Sequence, residues 1–364
     1  MAIKWKTALS AVAVFSLCFL GIPIRVDPPD KNMQSYLKFL AARNRSYVQD
    51  SDEFEKKFIH FRNSMSRSAD LNSSGEHPLS AVYGPTKFSD LSQEEFTLKY
   101  LNPDLPVKFM KEEIRSLSLR KHHKHQTSKQ RIKRAVAVPI IDTTLPKAVD
   151  WRIKGIITPI KNQKTCGACW AFSTIETIES MLALERGSSV VLSVQQGVDC
   201  ATNGNIGCAG GDTCRFLEWM NLSKVSLLPE SQYPFTGTTG SCKMKLNAPA
   251  FGTRITSNFT CNNYAGEEGE LLKLVANHGP VAVAVNALNW QNYLGGVIQF
   301  NCDGSPLSLN HAVQIVGYNL TAAIPYYIVR NSWGPDFGDK GYLYIAIGDN
   351  VCGIANEVSA VDVI

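Results

Sequence analysis

Histidine is scarce in this chain. There are seven in 364 residues, and only His278 and His311 lie beyond Leu145. A four-ligand zinc centre needs Cys or His clusters at metal spacing. Downstream of the Cys-x-x-Cys pair Cys166 and Cys169 no second cluster occurs, so neither a metal site nor a cofactor is expected. A hydrophobic run long enough for a comfortable membrane span is missing too. Ala8–Leu20 is apolar but short, and with Lys4 and Lys6 ahead of it residues 1–21 read as a secretory signal peptide rather than an anchor. An excess of positive charge is absent where a nucleic-acid partner would need it. From Leu145 onward there are 14 Lys+Arg against 17 Asp+Glu, a net of −3, so the overall +5 places +8 in the first 144 residues. The basic excess belongs to a leader, and no nucleic-acid partner is expected.

Ten cysteines are present. Cys18 lies in the signal, and the other nine are an odd number, which in an oxidising compartment leaves one thiol unpaired. The chain is organised around Asn162–Ser173. After Cys169 a run from Trp170 to Arg186 carries apolar residues at Ala171, Ile175, Ile178, Met181, Leu182 and Leu184, near helical spacing, and Gly187 ends it. Cys169 is thus expected at a helix N-terminus, where free N–H groups and the aligned peptide dipoles favour an anion and so a reactive thiolate. Thr213–Asn221 and Glu270–Ala276 are further helix candidates. Val281–Val285, His311–Val316, Tyr326–Arg330 and Gly341–Ile347 are β-branched or aromatic-rich runs that read as strands. A helical half followed by a strand-rich half predicts an α+β fold.

Cys166-Gly167-Ala168-Cys169-Trp170 resembles, at every position, the Cys-Gly-[Ser/Ala]-Cys-[Trp/Tyr] signature of papain-like cysteine proteases, the cathepsins. Half a zinc site or a redox pair is the other reading of Cys-x-x-Cys. Leu145–Arg152 resembles the start of a mature cathepsin, and the resemblance covers the 220 residues from there to Ile364. It implies a two-lobed fold, a helical lobe plus a β-barrel-like lobe, with the site in the cleft between them. Cys169 would be the nucleophile, His311 in Asn310-His311-Ala312-Val313 its base, and Asn331 in Asn331-Ser332-Trp333-Gly334 the group that orients the base. Gln163 would donate to the oxyanion, and Trp333 would shield the His–Asn bond. His278 reads as a surface turn residue. Gly210 and Gly211 would bind substrate backbone. Asp212, Thr213, Ala284, Ala312 and Glu357 would line the second-subsite pocket, with Glu357 at its floor able to attract a basic side chain. Family spacing also implies the pairs Cys166–Cys208, Cys200–Cys242 and Cys302–Cys352. Cys214 and Cys261 are left to pair with each other.

The leader resembles an inhibitory propeptide, residues 22–134, ahead of a mature domain at 135–364. Met33–Leu40 and Phe54–Met65 have helical character. Glu53, Lys57, Phe61 and Asn72 fall at the spacing of the propeptide helix motif, from which Ser64 and Ser68 depart. Gly84–Asp90 resembles Gly-x-Asn-x-Phe-x-Asp with Thr86 for Asn. The run Lys121–His125 reads as part of a disordered linker. Arg131-Ile132-Lys133-Arg134 resembles a proprotein-convertase site, with cleavage after Arg134. Sequons stand at Asn44, Asn72, Asn221, Asn258 and Asn319. Leu192–Gln196, Trp290–Gly296, Tyr327–Asn331 and Asn350–Ala355 favour one branch of the cathepsins, while Phe337 and Ala209 depart from the family pattern. The expected protein is a monomeric cysteine endopeptidase zymogen of the secretory pathway, lysosomal or extracellular, acting on proteins or peptides and held by its own propeptide. The exopeptidase cathepsins grip a terminus with an inserted loop of extra histidines, and the region beyond Leu145 has no spare histidine cluster. The alternative is a catalytically silent secreted binding protein of the same fold.

Overall fold

The computed structural model describes residues 31–47, 51–102, 145–244 and 252–364. The expected signal peptide, the Lys121–His125 run and Arg131–Arg134 lie outside the described residues. Two compact units divide the chain, residues 1–58 and 59–364. In the first, helix α1 (Lys31–Ala42) and the opening turns of α2 (Asp52–Asn72) share an aromatic cluster. Tyr36 is buried against Phe39, Phe54 and Phe58, with ring centroids 6.2, 5.4 and 5.4 Å away. The division falls inside the expected propeptide, so residues 59–102 fold as one unit with the C-terminal part.

Within that second unit the leader contributes β1 (Val82–Tyr83) and α3 (Gln93–Tyr100). Ser92 and Glu95 cap α3 reciprocally, each side chain taking the other's backbone N–H. The Asn72 side chain clamps Tyr83, donating to its carbonyl (2.9 Å) and accepting from its N–H (2.8 Å). That amide is committed to a backbone contact, although the residue is exposed, as are the sequons Asn44 and Asn258; Asn221 and Asn319 are half-exposed.

The remaining elements are β2 (Ala148–Asp150), α4 (Cys169–Arg186), α5 (Val194–Cys200), α6 (Thr213–Ser223), β3 (Ile255–Asn262) and α7 (Glu268–Asn277), then β4 (Val281–Val285), β5 (Tyr293–Gly295), β6 (Val297–Ile298), β7 (His311–Asn319), β8 (Tyr326–Arg330), β9 (Tyr342–Ala346) and β10 (Val358–Val363). An eight-stranded sheet runs β3-β10-β4-β7-β8-β9-β6, with β2 paired to the far end of β7. All its pairs are antiparallel except β6–β9. Leader strand β1 pairs antiparallel with β5.

Two hydrophobic cores define the lobes. One is centred on α4, α5 and α6, with Trp170, Phe172, Ile175, Ile178 and Phe216 inside it. The other lies under the sheet, with Val283, Ile315, Tyr318, Val329 and Leu343, and takes in Tyr83, Phe88, Leu91, Phe96 and Leu101 of the leader. The C-terminal strand crosses the seam. Val358 and Ala360 of β10 belong to the sheet core, Val361 and Val363 to the helical one. Helix α4 is consequently buried from Cys169 through Ala183, nearly all round rather than on one stripe, and ends where Gly187 takes φ 68°.

Four disulfides close as Cys166–Cys208, Cys200–Cys242, Cys214–Cys261 and Cys302–Cys352. The Cys214–Cys261 Cα separation of 6.0 Å lies within the ordinary range. Cys169 is the free cysteine among the described residues.

Candidate active site

Cys169 is the first residue of α4. The position before it, Ala168, offers no capping side chain, so the N–H groups of the first turn are not taken by a cap. His311 opens β7 and Asn331 follows the end of β8; antiparallel pairing of those strands sets the two side by side. His311 Nε2 lies 2.9 Å from Asn331 Oδ1, and its Nδ1 is buried without a hydrogen-bond partner. The imidazole is thereby fixed with Nε2 as donor and Nδ1 as acceptor. Trp333 stacks beside it, ring centroids 4.7 Å apart, and Phe337 packs edge-on against Trp333 at 4.8 Å.

Gln163 joins the same network. Its N–H donates to the Ser332 carbonyl (2.8 Å), and its Oε1 accepts from Ser332 Oγ (2.6 Å). The amide nitrogen is left facing the cleft, where it donates to the carbonyls of Cys166 (3.0 Å) and Tyr100 (3.1 Å). Sequence reasoning missed the role of Ser332, although it sits inside the quoted Asn331–Gly334 motif; a hydroxyl between Asn and Trp was the signal.

The leader occupies this cleft. The Tyr100 carbonyl sits on the Gln163 amide. The Asn102 N–H donates to the Asn310 carbonyl (2.6 Å), and Asn102 Nδ2 donates to the Gly211 carbonyl (2.5 Å). Gly167 is pinned between the chains: a Cβ there would lie 2.7 Å from the Cys208 carbonyl oxygen and 3.1 Å from that of Leu101. Burial then rules the electrostatics. It pushes the Cys169 thiol up to about 12, although the backbone N–H groups of Ala312, Trp170 and Cys169 itself favour the anion. It drives His311 down to about 4, with the Asn331 hydrogen bond acting the other way. In this covered site burial thus disfavours the charged form of both the thiol and the imidazole.

Asp212 and Glu357 share a cavity of about 450 Å³ with Cys214, Arg215, Glu218 and Cys261. A carboxylate oxygen of each and the Cys214 sulfur lie within 4.8 Å of one another, and that sulfur is already tied to Cys261. Thr213, Ala284 and Ala312 are buried. Ala284 faces Ala312 across the β4–β7 pairing and takes the Glu357 carbonyl on its N–H (3.0 Å), while Thr213 Oγ1 meets Ser359 Oγ at 2.7 Å. Gly210 and Gly211 lead into α6, and Asp212 caps it through the Arg215 N–H (2.8 Å). His278 is more than a surface turn residue: it caps α7 and lies 2.8 Å from Asp362 Oδ1.

A thiol at a helix start, an imidazole held by an amide and the leader's own backbone thus converge in one cleft. Residues 145–361 match the model of the papain family cysteine proteases, and residues 36–96 match that of the cathepsin propeptide inhibitor domain. The chain belongs to the papain family of cysteine proteases. It is similar to cathepsin O of Mus musculus, 39% identical over 307 residues that cover 84% of this chain and 90% of that protein. Cathepsin O of Homo sapiens is 38% identical over 308 residues, covering 84% and 88%. This is the branch to which the four sequence segments pointed. Among solved structures, a recombinant stem bromelain precursor superposes with a TM-score of 0.71 at 29% identity, covering 92% of this chain and 99% of that one. Procathepsin L 3 from the larval midgut of Tenebrio molitor gives 0.68 at 27%, with the same coverage. The fold is papain-like, mixed α+β, with an N-terminal inhibitor domain.

Proposed function

We propose that the chain is the zymogen of a cysteine endopeptidase, with signal, propeptide and mature domain at 1–21, 22–134 and 135–364. The observation that carries the reading is His311, held by Asn331 on one nitrogen and left with an unpartnered nitrogen on the other, at the start of a strand whose next N–H, from Ala312, serves the Cys169 sulfur. Once residues 100–102 leave, water relieves the desolvation and the Cys169 proton passes to His311 Nδ1. The thiolate attacks a peptide carbonyl. Its oxygen becomes an oxyanion held by Gln163 Nε2, which already donates to a carbonyl in the covered site, and by the backbone N–H of Cys169. His311 then protonates the departing amine, and water hydrolyses the acyl-enzyme.

Gly210 and Gly211 bind the substrate backbone, and the Asp212–Glu357 cavity takes its second-subsite side chain, Arg as well as apolar groups. The two carboxylates in one cavity support that preference. Internal cleavage fits the histidine inventory: beyond Leu145 the chain has only His278 besides His311, and it lies against Asp362. Convertase cleavage after Arg134, passage through the secretory pathway to lysosome or exterior, glycans at exposed sequons and a monomeric state complete the proposal. No helix among the described residues is long and apolar enough to cross a membrane.

The test is hydrolysis of a protein substrate by enzyme produced as the full chain and then activated. Cys169→Ala is expected to lower turnover by about four orders of magnitude or more while the zymogen still folds. A wild-type protein that neither cleaves nor reacts with a thiol-directed epoxide would leave the silent binding protein as the better reading.

A further inference from the structure

The four elements that carry the proposed machinery meet at one buried guanidinium. Arg330 is the last residue of β8, directly before Asn331, and is fully buried. Its Nη2 donates to Thr158 Oγ1 (3.0 Å) and to the Pro159 carbonyl (2.7 Å), and its Nη1 donates to Gln314 Oε1 (3.3 Å). Thr158 and Pro159 open the segment that arrives at Gln163. Gln314 stands three residues past His311 on β7. Its own amide donates to the Glu176 carbonyl (3.1 Å) and to Ser180 Oγ (3.0 Å) on α4, the helix that begins with Cys169. The Glu176 carboxylate lies 3.5 Å from Arg330 Nη2, near enough for attraction and too far for a good hydrogen bond. A second layer backs the first: Glu179 accepts from Thr158 Oγ1, from Lys161 Nζ (2.6 Å) and from the Leu192 N–H (2.7 Å).

Stability alone is a weak account of such a cluster. Buried ion pairs are often replaced by apolar residues of like volume without loss. Charge alone is a weak account too, because burial raises the Glu176 carboxyl to about 7 against the pull of Arg330 and Lys161. Apolar residues lack the fixed fork of donors, which aims at several acceptors at once. We propose that Arg330 is a positioning residue: by holding Thr158, Pro159 and Gln314 in one plane beside α4, it sets the spacing of Gln163, His311, Asn331 and Cys169 across the seam of the lobes. The inference rests on those four residues being the reacting set.

The experiment uses enzyme produced as the full chain and then activated, with kcat and KM for a peptide substrate and thermal unfolding measured together. Arg330→Met alone strands the Glu176 carboxyl, so the informative variants are Arg330→Met with Glu176→Leu, which removes both buried charges, and Arg330→Lys, which keeps the charge without the fork. Both are expected to unfold near the wild-type temperature, with KM within about twofold and kcat lowered about 10- to 100-fold, the size of effect a misplacement of about 1 Å produces. Wild-type kcat in either folded variant, or loss of activity only in step with unfolding, overturns the inference and leaves the peptidase reading intact. A wild-type enzyme without turnover would fail the underlying reading first.

Discussion

The two lobes differ in how the leader holds them. The sheet lobe takes five leader side chains, Tyr83, Phe88, Leu91, Phe96 and Leu101, into its core; the helical core contains none. Polar grips follow the same division. Ser64 Oγ donates to Asn292 Oδ1 (2.8 Å), and Asn292 Nδ2 reaches the Gly84 carbonyl (3.1 Å) and Ser89 Oγ (2.7 Å). Gln291 Nε2 donates to the Phe88 and Leu91 carbonyls (2.9 Å each), and Lys87 Nζ meets Asp336 at 2.6 Å. On the helical side, among the described residues, the Tyr100 carbonyl accepts from Gln163 Nε2 and Asn102 Nδ2 donates to the Gly211 carbonyl. The leader's apolar contacts and most of its polar ones are thus lodged on one lobe, while Cys169 begins the central helix of the other. The leader's departures from the family motif make sense in that light: Ser64 serves Asn292, and Thr86 Oγ1 donates to the Gln291 carbonyl (2.5 Å).

The comparison breaks most sharply at the thiol. If a few cleft residues keep it neutral, alkylation of Cys169 near pH 6 should be slower in the zymogen than in the activated enzyme by on the order of a thousandfold; equal rates measured by mass spectrometry would mean the cover does nothing electrostatic. Next comes the address on the sheet lobe. Asn292→Ala in the full zymogen removes contacts to Ser64, Gly84 and Ser89, and latency should fall about 10- to 100-fold, since a buried hydrogen bond lost this way costs roughly 1–3 kcal/mol. Residual activity before processing is the readout, and an unchanged zymogen would show that the apolar contacts suffice. Smallest is the pocket where chain from both lobes converges. Glu357→Ala should lower kcat/KM for Arg at the second subsite by roughly tenfold relative to Leu, about one charge-assisted hydrogen bond; unchanged preference removes Glu357 from specificity.

How much was legible follows from how local each cause is. Cys169 was legible from the helical run directly after it, whereas Gln163, six residues earlier, was singled out only through the resemblance to the family. His311 and Asn331 were legible through their order and flanking residues, and the sheet realised them by pairing β7 with β8. Strand β3 was missed because it lies at the end of the sheet's pairing order and exposes most of its length, leaving no apolar alternation to read. Helix α5 is only seven residues long and is marked mainly by its cap, Ser193. Glu176, Glu179 and Arg330 were invisible as a group because each side chain finds its partner far along the chain. The strand Tyr326–Arg330 was expected, but not the burial of its terminal charge.

The seating of Tyr100, Leu101 and Asn102 has a consequence for timing. A cut in the stretch between Asn102 and Leu145 would sever a tether without emptying the cleft, because the carbonyl on Gln163 and the amide on Gly211 do not depend on that connection. The nicked product would be a two-chain complex in equilibrium with its parts. Its activity would then appear on dilution as well as on cleavage, and the same processed molecule would stay quiet in a crowded vesicle and wake in a large volume.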